Sequence, residues 1–369
     1  MNKLIYFQSQ LISRIDPFLC SKTYTNHNWF TLRNVDSWPG HICSRSIELN
    51  TPWPLAKSLD SIPLITNNET RFDIVLDQIA EKFYLQVKQT QRTPYVMWSG
   101  GIDSTCILAS LLKAPKVLTD QLVIVCNQAS IDENPYFYNR FIKDKLTTVD
   151  TDQFKVNSEN YNKILLVNGD CAEMIFGSTH PQALARQGQM DLIHKSWNDD
   201  ALLHRSMAHT DPGAMEFGLD LIKESAKYSP VPIETIYDFL WWHYFDFKIV
   251  DSLLRAVAHL SEHLTNDQAK DFWENTIQRF FMYPEMQIWS MLTNNTRQEN
   301  MHIDYKYDAK KYIYEFDHND FYYNNKQKYP SMIKNTACRH IFAIDENWRR
   351  YSLTNVDDRR ILGQWLERV

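Results

Sequence analysis

The chain has 369 residues, 44% of them hydrophobic and 13% aromatic, enough for a substantial core and one large or two ordinary domains. Its net charge of −6 argues against a general nucleic-acid surface, and no run approaches the roughly 18 apolar residues of a membrane helix. The six cysteines, Cys20, Cys43, Cys106, Cys126, Cys171 and Cys338, include no Cys-x-x-Cys pair. That argues against zinc and iron–sulfur clusters and for reduced thiols in a cytoplasmic protein.

Residues 1–70 are irregular and punctuated by prolines, and are expected to form a small N-terminal subdomain with a strand at Leu4–Phe7. Residues 71–185 are expected to form an α/β core. A helix is predicted from Arg71 to about Gln89 on the apolar stripe Phe72, Ile74, Val75, Ile79, Phe83 and Tyr84. The run Tyr95–Trp98 reads as a short buried strand and Ser99-Gly100-Gly101 as a turn. From Asp103 a helix is predicted on Ile107, Leu108, Leu111 and Leu112, stopped by Pro115. Further strands are predicted at 121–126, 146–149 and 164–167, with a helix over 134–146. Apolar strands alternating with helices predict a parallel sheet with helices on both faces. Its ligand would sit beyond the carboxyl ends of the strands, where the loops at Ser99 and Gly169 would meet. Residues 186–369 read as a helical, aromatic-rich part that completes the active site. Within it, 234–259 reads as buried core helix and 272–292 as a helical stretch broken by Pro284.

The strand–loop–helix at 95–112 carries the chemistry. Backbone N–H groups and a helix N-terminus converge there, which suits a phosphate. Gly100 and Gly101 allow close approach of an anion, and Ser99, Ser104 and Thr105 add hydroxyl donors. Asp103 is out of place, because a carboxylate beside phosphate repels it unless a cation lies between. It therefore suggests a Mg²⁺ ligand. The Gly-Lys-Ser/Thr ending of a Walker loop is missing.

The stretch Ser99-Gly-Gly-Ile-Asp-Ser104 resembles the PP-loop, Ser-Gly-Gly-x-Asp-Ser, of the N-type ATP pyrophosphatases. The resemblance implies an adenine nucleotide alpha hydrolase-like fold of HUP type, and cleavage of ATP between its α and β phosphates. A second stretch, Val167-Asn-Gly-Asp-Cys-Ala-Glu-Met-Ile-Phe-Gly-Ser178, resembles a loop of asparagine synthetases, β-lactam synthetases and lasso-peptide cyclases. Gly169, Phe176 and Gly177 match outright. Asp170 stands at the family's Glu, Glu173 at its metal-binding Asp, and Met174 at the acidic residue that asparagine synthetases carry. A third stretch, Lys310-Lys-Tyr-Ile313 and then Asn325–Ser331, resembles the family's lysine helix and Arg-x-Lys-x-x-Phe-Ser.

The resemblance implies that ATP and Mg²⁺ bind at Ser99, Gly100, Gly101, Asp103, Ser104, Thr105 and Gly169, with Asp103 and Glu173 as metal ligands. Ile124 or Val125 would pack against adenine. Lys328 would stabilise the leaving pyrophosphate, and Asp170 is the candidate base in place of Met174. The implied activity is an amide ligase that adenylates a small-molecule carboxylate and passes it to ammonia or an amine. With Asn2 after Met1 and about 90 residues before the loop, no glutaminase domain is expected. Two other readings remain: a non-catalytic nucleotide-binding protein, motivated by Met174 and Ala172, and a PP-loop enzyme that modifies nucleobases or tRNA.

Overall fold

The computed structural model describes residues 4–7, 44–47, 61–66, 69–177, 181, 184, 187–206, 212–249, 260–261, 263–301, 306–326, 342–345, 347–352 and 355–366. The chain divides into two compact units that interleave in sequence. One comprises Ile65–Ile175 and Ala256–Lys334; the other comprises Met1–Leu64, Phe176–Arg255 and Asn335–Val369. The sequential partition at 70 and 185 does not anticipate this arrangement.

The first unit is built on a five-stranded, all-parallel sheet. Its strands are β1 (Thr93–Met97), β2 (Val123–Cys126), β3 (Thr147–Asp150), β4 (Ile164–Asn168) and β5 (Ile277–Arg279), in the order β3-β2-β1-β4-β5. Tyr95 pairs with Val123 on one side and with Leu166 on the other. All five residues of β4 are buried, as a covered parallel strand requires. β3 is an edge strand, and Thr147, Thr148 and Asp150 are exposed.

Helix α1 (Phe72–Thr90) buries Phe72, Val75, Ile79, Phe83 and Tyr84 of the predicted stripe, leaves Ile74 half-buried, and ends in a left-handed Gln91. After the turn come α2 (Ile102–Leu112), α3 (Gln128–Glu133) and α4 (Ala172–Ile175), then α5 (Pro284–Leu292), α6 (Tyr307–Asp317) and α7 (Asp320–Asn325). α6 packs against α2, and α5 against α1, where Trp289 meets Phe72 edge-on with ring centroids 5.0 Å apart.

Two expectations are corrected. The helix predicted over 134–146 is a short α-turn at Pro135–Phe137 followed by a π-turn at Tyr138–Ile142. The stretch 272–292 is not one broken helix: Phe272–Thr276 is a π-turn, Ile277–Arg279 joins the sheet, and α5 begins at Pro284. Proline is tolerated at a first helical position, whose N–H has no partner within the helix, so Pro284 starts a helix rather than breaking one.

In the other unit, Leu4–Phe7 pairs antiparallel with Phe342–Asp345, which pairs with Arg350–Ser352. The helix Ile236–His243 starts at a capping box of Thr235 and Asp238 and runs into a π-turn, Tyr244–Lys248. Its aromatic residues are core, as expected: Trp241, Trp242 and Phe245 are fully buried, and Trp242 Nε1 donates to Ser225 Oγ at 2.9 Å. Asp246 is buried beneath a wrap of Ser44, Arg45 and Ser46. It accepts from Ser44 Oγ at 2.6 Å and from the N–H groups of Arg45 and Ser46 at 3.0 and 2.8 Å. Burial still holds its pKa above the usual aspartate value.

Among the described residues no helix is long and apolar enough to cross a membrane.

Candidate active site

Strand order reverses between β1 and β4: the chain moves from β1 outward through β2 to β3, then returns to the other side of β1. The loops after β1 and β4 therefore leave the carboxyl edge of the sheet at the point where such folds form their ligand crevice. They meet in space. A Cβ added to Gly169 would lie 3.2 Å from the Ser104 backbone nitrogen and 3.3 Å from Asp103 Cβ. Gly169 lies close against the start of α2, where a side chain would fit only if Asp103 or Ser104 gave way by a few tenths of an ångström.

The first loop is preorganised by its own hydroxyls. Ser99 N donates to Ser104 Oγ at 3.0 Å, and the Ser99 and Ser104 hydroxyls share a hydrogen bond of 3.0 Å. Gly101 N donates to Ser99 Oγ at 3.3 Å. Gly100 sits at φ +74, and a side chain there would collide with the Ser130 carbonyl oxygen. Gly101 is the N-cap of α2, so no side chain of that residue caps the helix start.

Thr105 lies beneath this loop rather than on it. It is fully buried, and Trp98 Nε1 donates to its hydroxyl at 3.1 Å. Trp98 is stacked in turn on Phe137, with centroids 6.1 Å apart. The role foreseen for Thr105 as a ligand donor is corrected to one of support. Ile124 and Val125 are corrected as well: at 0% and 1% exposure they are interior to the sheet and offer no face to a ring.

In the second loop Asp170 is half-buried, and Asn168 Nδ2 donates to it at 2.6 Å. Cys171 has φ +71, a strained conformation for a non-glycine residue. Cys171, like Cys106 and Cys126, is buried, and burial raises the pKa of the Cys106 and Cys126 thiols. Glu173 is half-buried, whereas Ala172 and Met174 are turned into the interior. Gly177 has φ +100 with the Tyr237 ring against it, and Tyr237 OH donates to the Phe176 carbonyl at 3.2 Å.

Lysines complete the site. Lys306, at the head of α6, places Nζ 2.6 Å and 2.7 Å from the two oxygens of Asp103. Lys326, at the end of α7, places Nζ 2.5 Å from Glu133 Oε1. Lys310 lies one turn along α6 from Lys306. Exposures are only 6%, 4% and 8% for Lys306, Lys310 and Lys326. Burial lowers the Lys326 pKa, with Glu133 opposing. Tyr322 of α7 donates to the Gly100 carbonyl at 3.1 Å and ties α7 to the loop.

Sequence reasoning pointed to Lys328, which lies outside the described residues. Lys306 and Lys326 escaped it because each stands in a polar, lysine-bearing stretch that reads as solvated surface. The spacing of Lys306 and Lys310, one helical turn apart, was the available signal.

Asp103 is engaged by an ammonium group. Both oxygens of Asp103 are engaged by Lys306, and among the described residues no group of three or more His, Cys, Asp or Glu side chains could hold a metal. Asp103 thus faces the Lys306 ammonium group where a Mg²⁺ ligand was expected, and Glu173 stands half-buried in the second loop.

Comparison with protein-family models, with curated proteins and with solved structures finds no match to this chain.

Proposed function

We propose that the chain is an ATP-dependent amide ligase that releases AMP and pyrophosphate. The observation that carries this reading is the meeting of the Ser99–Ser104 and Gly169 loops at the switch point of a parallel sheet, beside three buried lysines. An uncapped helix N-terminus, a glycine loop and fixed ammonium groups favour a bound triphosphate.

In this reading a substrate carboxylate oxygen attacks the α-phosphorus. The bond from that phosphorus to the bridging oxygen breaks, and pyrophosphate leaves into the loop. Negative charge builds on the bridging oxygen, and Lys326 takes the part the sequence assigned to Lys328 in neutralising it. Ammonia or an amine then attacks the acyl carbon, AMP leaves, and Asp170 accepts the amine's proton.

The test is product identity. Protein incubated with ATP and pooled metabolite carboxylates and amines is expected to release pyrophosphate and AMP. Release of ADP and phosphate would overturn the reading. The second reading, a nucleotide-binding protein without catalysis, is favoured by the inward-facing Met174 and Ala172. It predicts tight ATP binding with no product from any pool.

A further inference from the structure

A carboxylate beside a phosphate needs a positive charge between them, and here the charge in contact with Asp103 is an ammonium group. Lys306 Nζ reaches both Asp103 oxygens, at 2.6 and 2.7 Å, and the lysine is 6% exposed. Its backbone sits at φ +59. A left-handed conformation is strained for a non-glycine residue, so the fold tolerates strain at the residue that delivers this charge.

A divalent ion at Asp103 would have to displace a buried ammonium group from both carboxylate oxygens. Lys310 and Lys326 are buried to a similar degree, and a Cβ on Gly101 would lie 3.3 Å from Glu133 Oε1, the partner of Lys326. Asn134, next in the chain and against Gly100, is 1% exposed, and its Nδ2 is buried without a hydrogen-bond partner. The lysines, the uncapped start of α2 and this amide set donors around the loop, beside the Asp103 and Glu133 carboxylates that two of the lysines already neutralise.

We propose that Lys306 takes the place of a divalent metal, so that the loop binds a diphosphate group as the metal-free anion. That group is the β,γ end of a nucleoside triphosphate or inorganic pyrophosphate. The inference rests on reading the loop as a phosphate site, and it goes beyond that reading by removing the metal.

The experiment is calorimetric titration of the full chain with inorganic pyrophosphate and with ATP, each in Mg²⁺ and in EDTA. Wild-type affinities are expected to agree within about threefold between the two conditions. Asp103→Asn is expected to hold or raise affinity, because Lys306 is then released to the phosphate. Lys306→Gln is expected to lose about tenfold in EDTA and to regain it in Mg²⁺, because Asp103 then becomes open to metal. The melting temperature of each variant checks folding, and Asp103→Asn, nearly isosteric, serves if Lys306→Gln does not fold. Wild-type binding that needs Mg²⁺, or Asp103→Asn abolishing it, would overturn the metal-free site and leave the ligase reading standing. No binding of either probe in either condition would remove both.

Discussion

Lys326 and Glu133 form an ion pair at the mouth of the glycine loop, Nζ to Oε1 2.5 Å, with side-chain exposures of 4% and 16%. The carboxylate oxygen lies beside the loop, 3.3 Å from where a Cβ on Gly101 would stand, close to any phosphate bound there under the proposed function. The pair thus holds the lysine in place, and its acid competes with the ligand for it.

Glu133→Gln is therefore expected to raise affinity for pyrophosphate by about tenfold, since one repelling charge near the loop is worth roughly 1.4 kcal/mol. Calorimetry on wild type and variant reads this. Unchanged or weaker binding would show that Glu133 does not compete with the anion.

Lys326→Ala is expected to lower pyrophosphate release by about 10²–10³ while ATP affinity changes only a few fold, because the charge it meets is largest in the transition state. Lys328→Ala is the comparison. If it causes the larger fall in turnover, the role returns to Lys328.

The alkaline side of the binding profile follows from Lys326. Burial lowers its pKa from the ordinary 10.5, so its charge is lost at a lower pH than an exposed lysine's. Anion affinity should fall as pH rises through that lowered value. Fold stability should move the other way between the lowered value and 10.5, where the unfolded chain binds the extra proton. Lys326→Arg, which does not titrate in this range, is expected to flatten the affinity profile. An unaltered profile in that variant would place the titration elsewhere.

Gly100→Ala is expected to abolish pyrophosphate binding, since a methyl group at φ +74 collides with the Ser130 carbonyl and the loop cannot close. Substitution at a left-handed glycine costs about 1–2 kcal/mol before the collision is counted. A melting curve and a titration on the same sample separate loss of fold from loss of site.

Asp317 ends α6, fully buried, with Oδ1 accepting from Asn319 N at 2.9 Å and Oδ2 without a hydrogen-bond partner. Burial raises its pKa. The folded state thus holds its proton to a higher pH than the unfolded chain, and stability grows as pH falls through the raised value. Asp317→Asn is expected to be more stable than wild type by about 1 kcal/mol at neutral pH. The gap should close in mild acid. Thermal melts at both conditions check the sign.

The parallel sheet and the glycine loop were legible because their signals are local. An apolar run, Gly100-Gly101, and apolar residues at helical spacing through Leu112 lie within one short segment. Backbone sterics and burial dictate what such a segment does. The meeting of Gly169 with Ser104 followed from topology, since loops at the carboxyl ends of neighbouring parallel strands have to converge.

β5, and the burial and partners of the lysines, were not legible. Ile277-Gln-Arg279 is too short to show a period, and it becomes a strand only because β4 offers it an edge, with Leu166 opposite Ile277. A single lysine carries the same sequence signal whether solvated or buried, and its state depends on which carboxylate the fold brings to it. The sequence by itself determined where the glycine turn and the start of α2 lie, because glycine conformation and a helix start are local properties. Only the tertiary structure decided which cation neutralises Asp103, because Lys306 lies 203 residues away along the chain and meets it through packing alone.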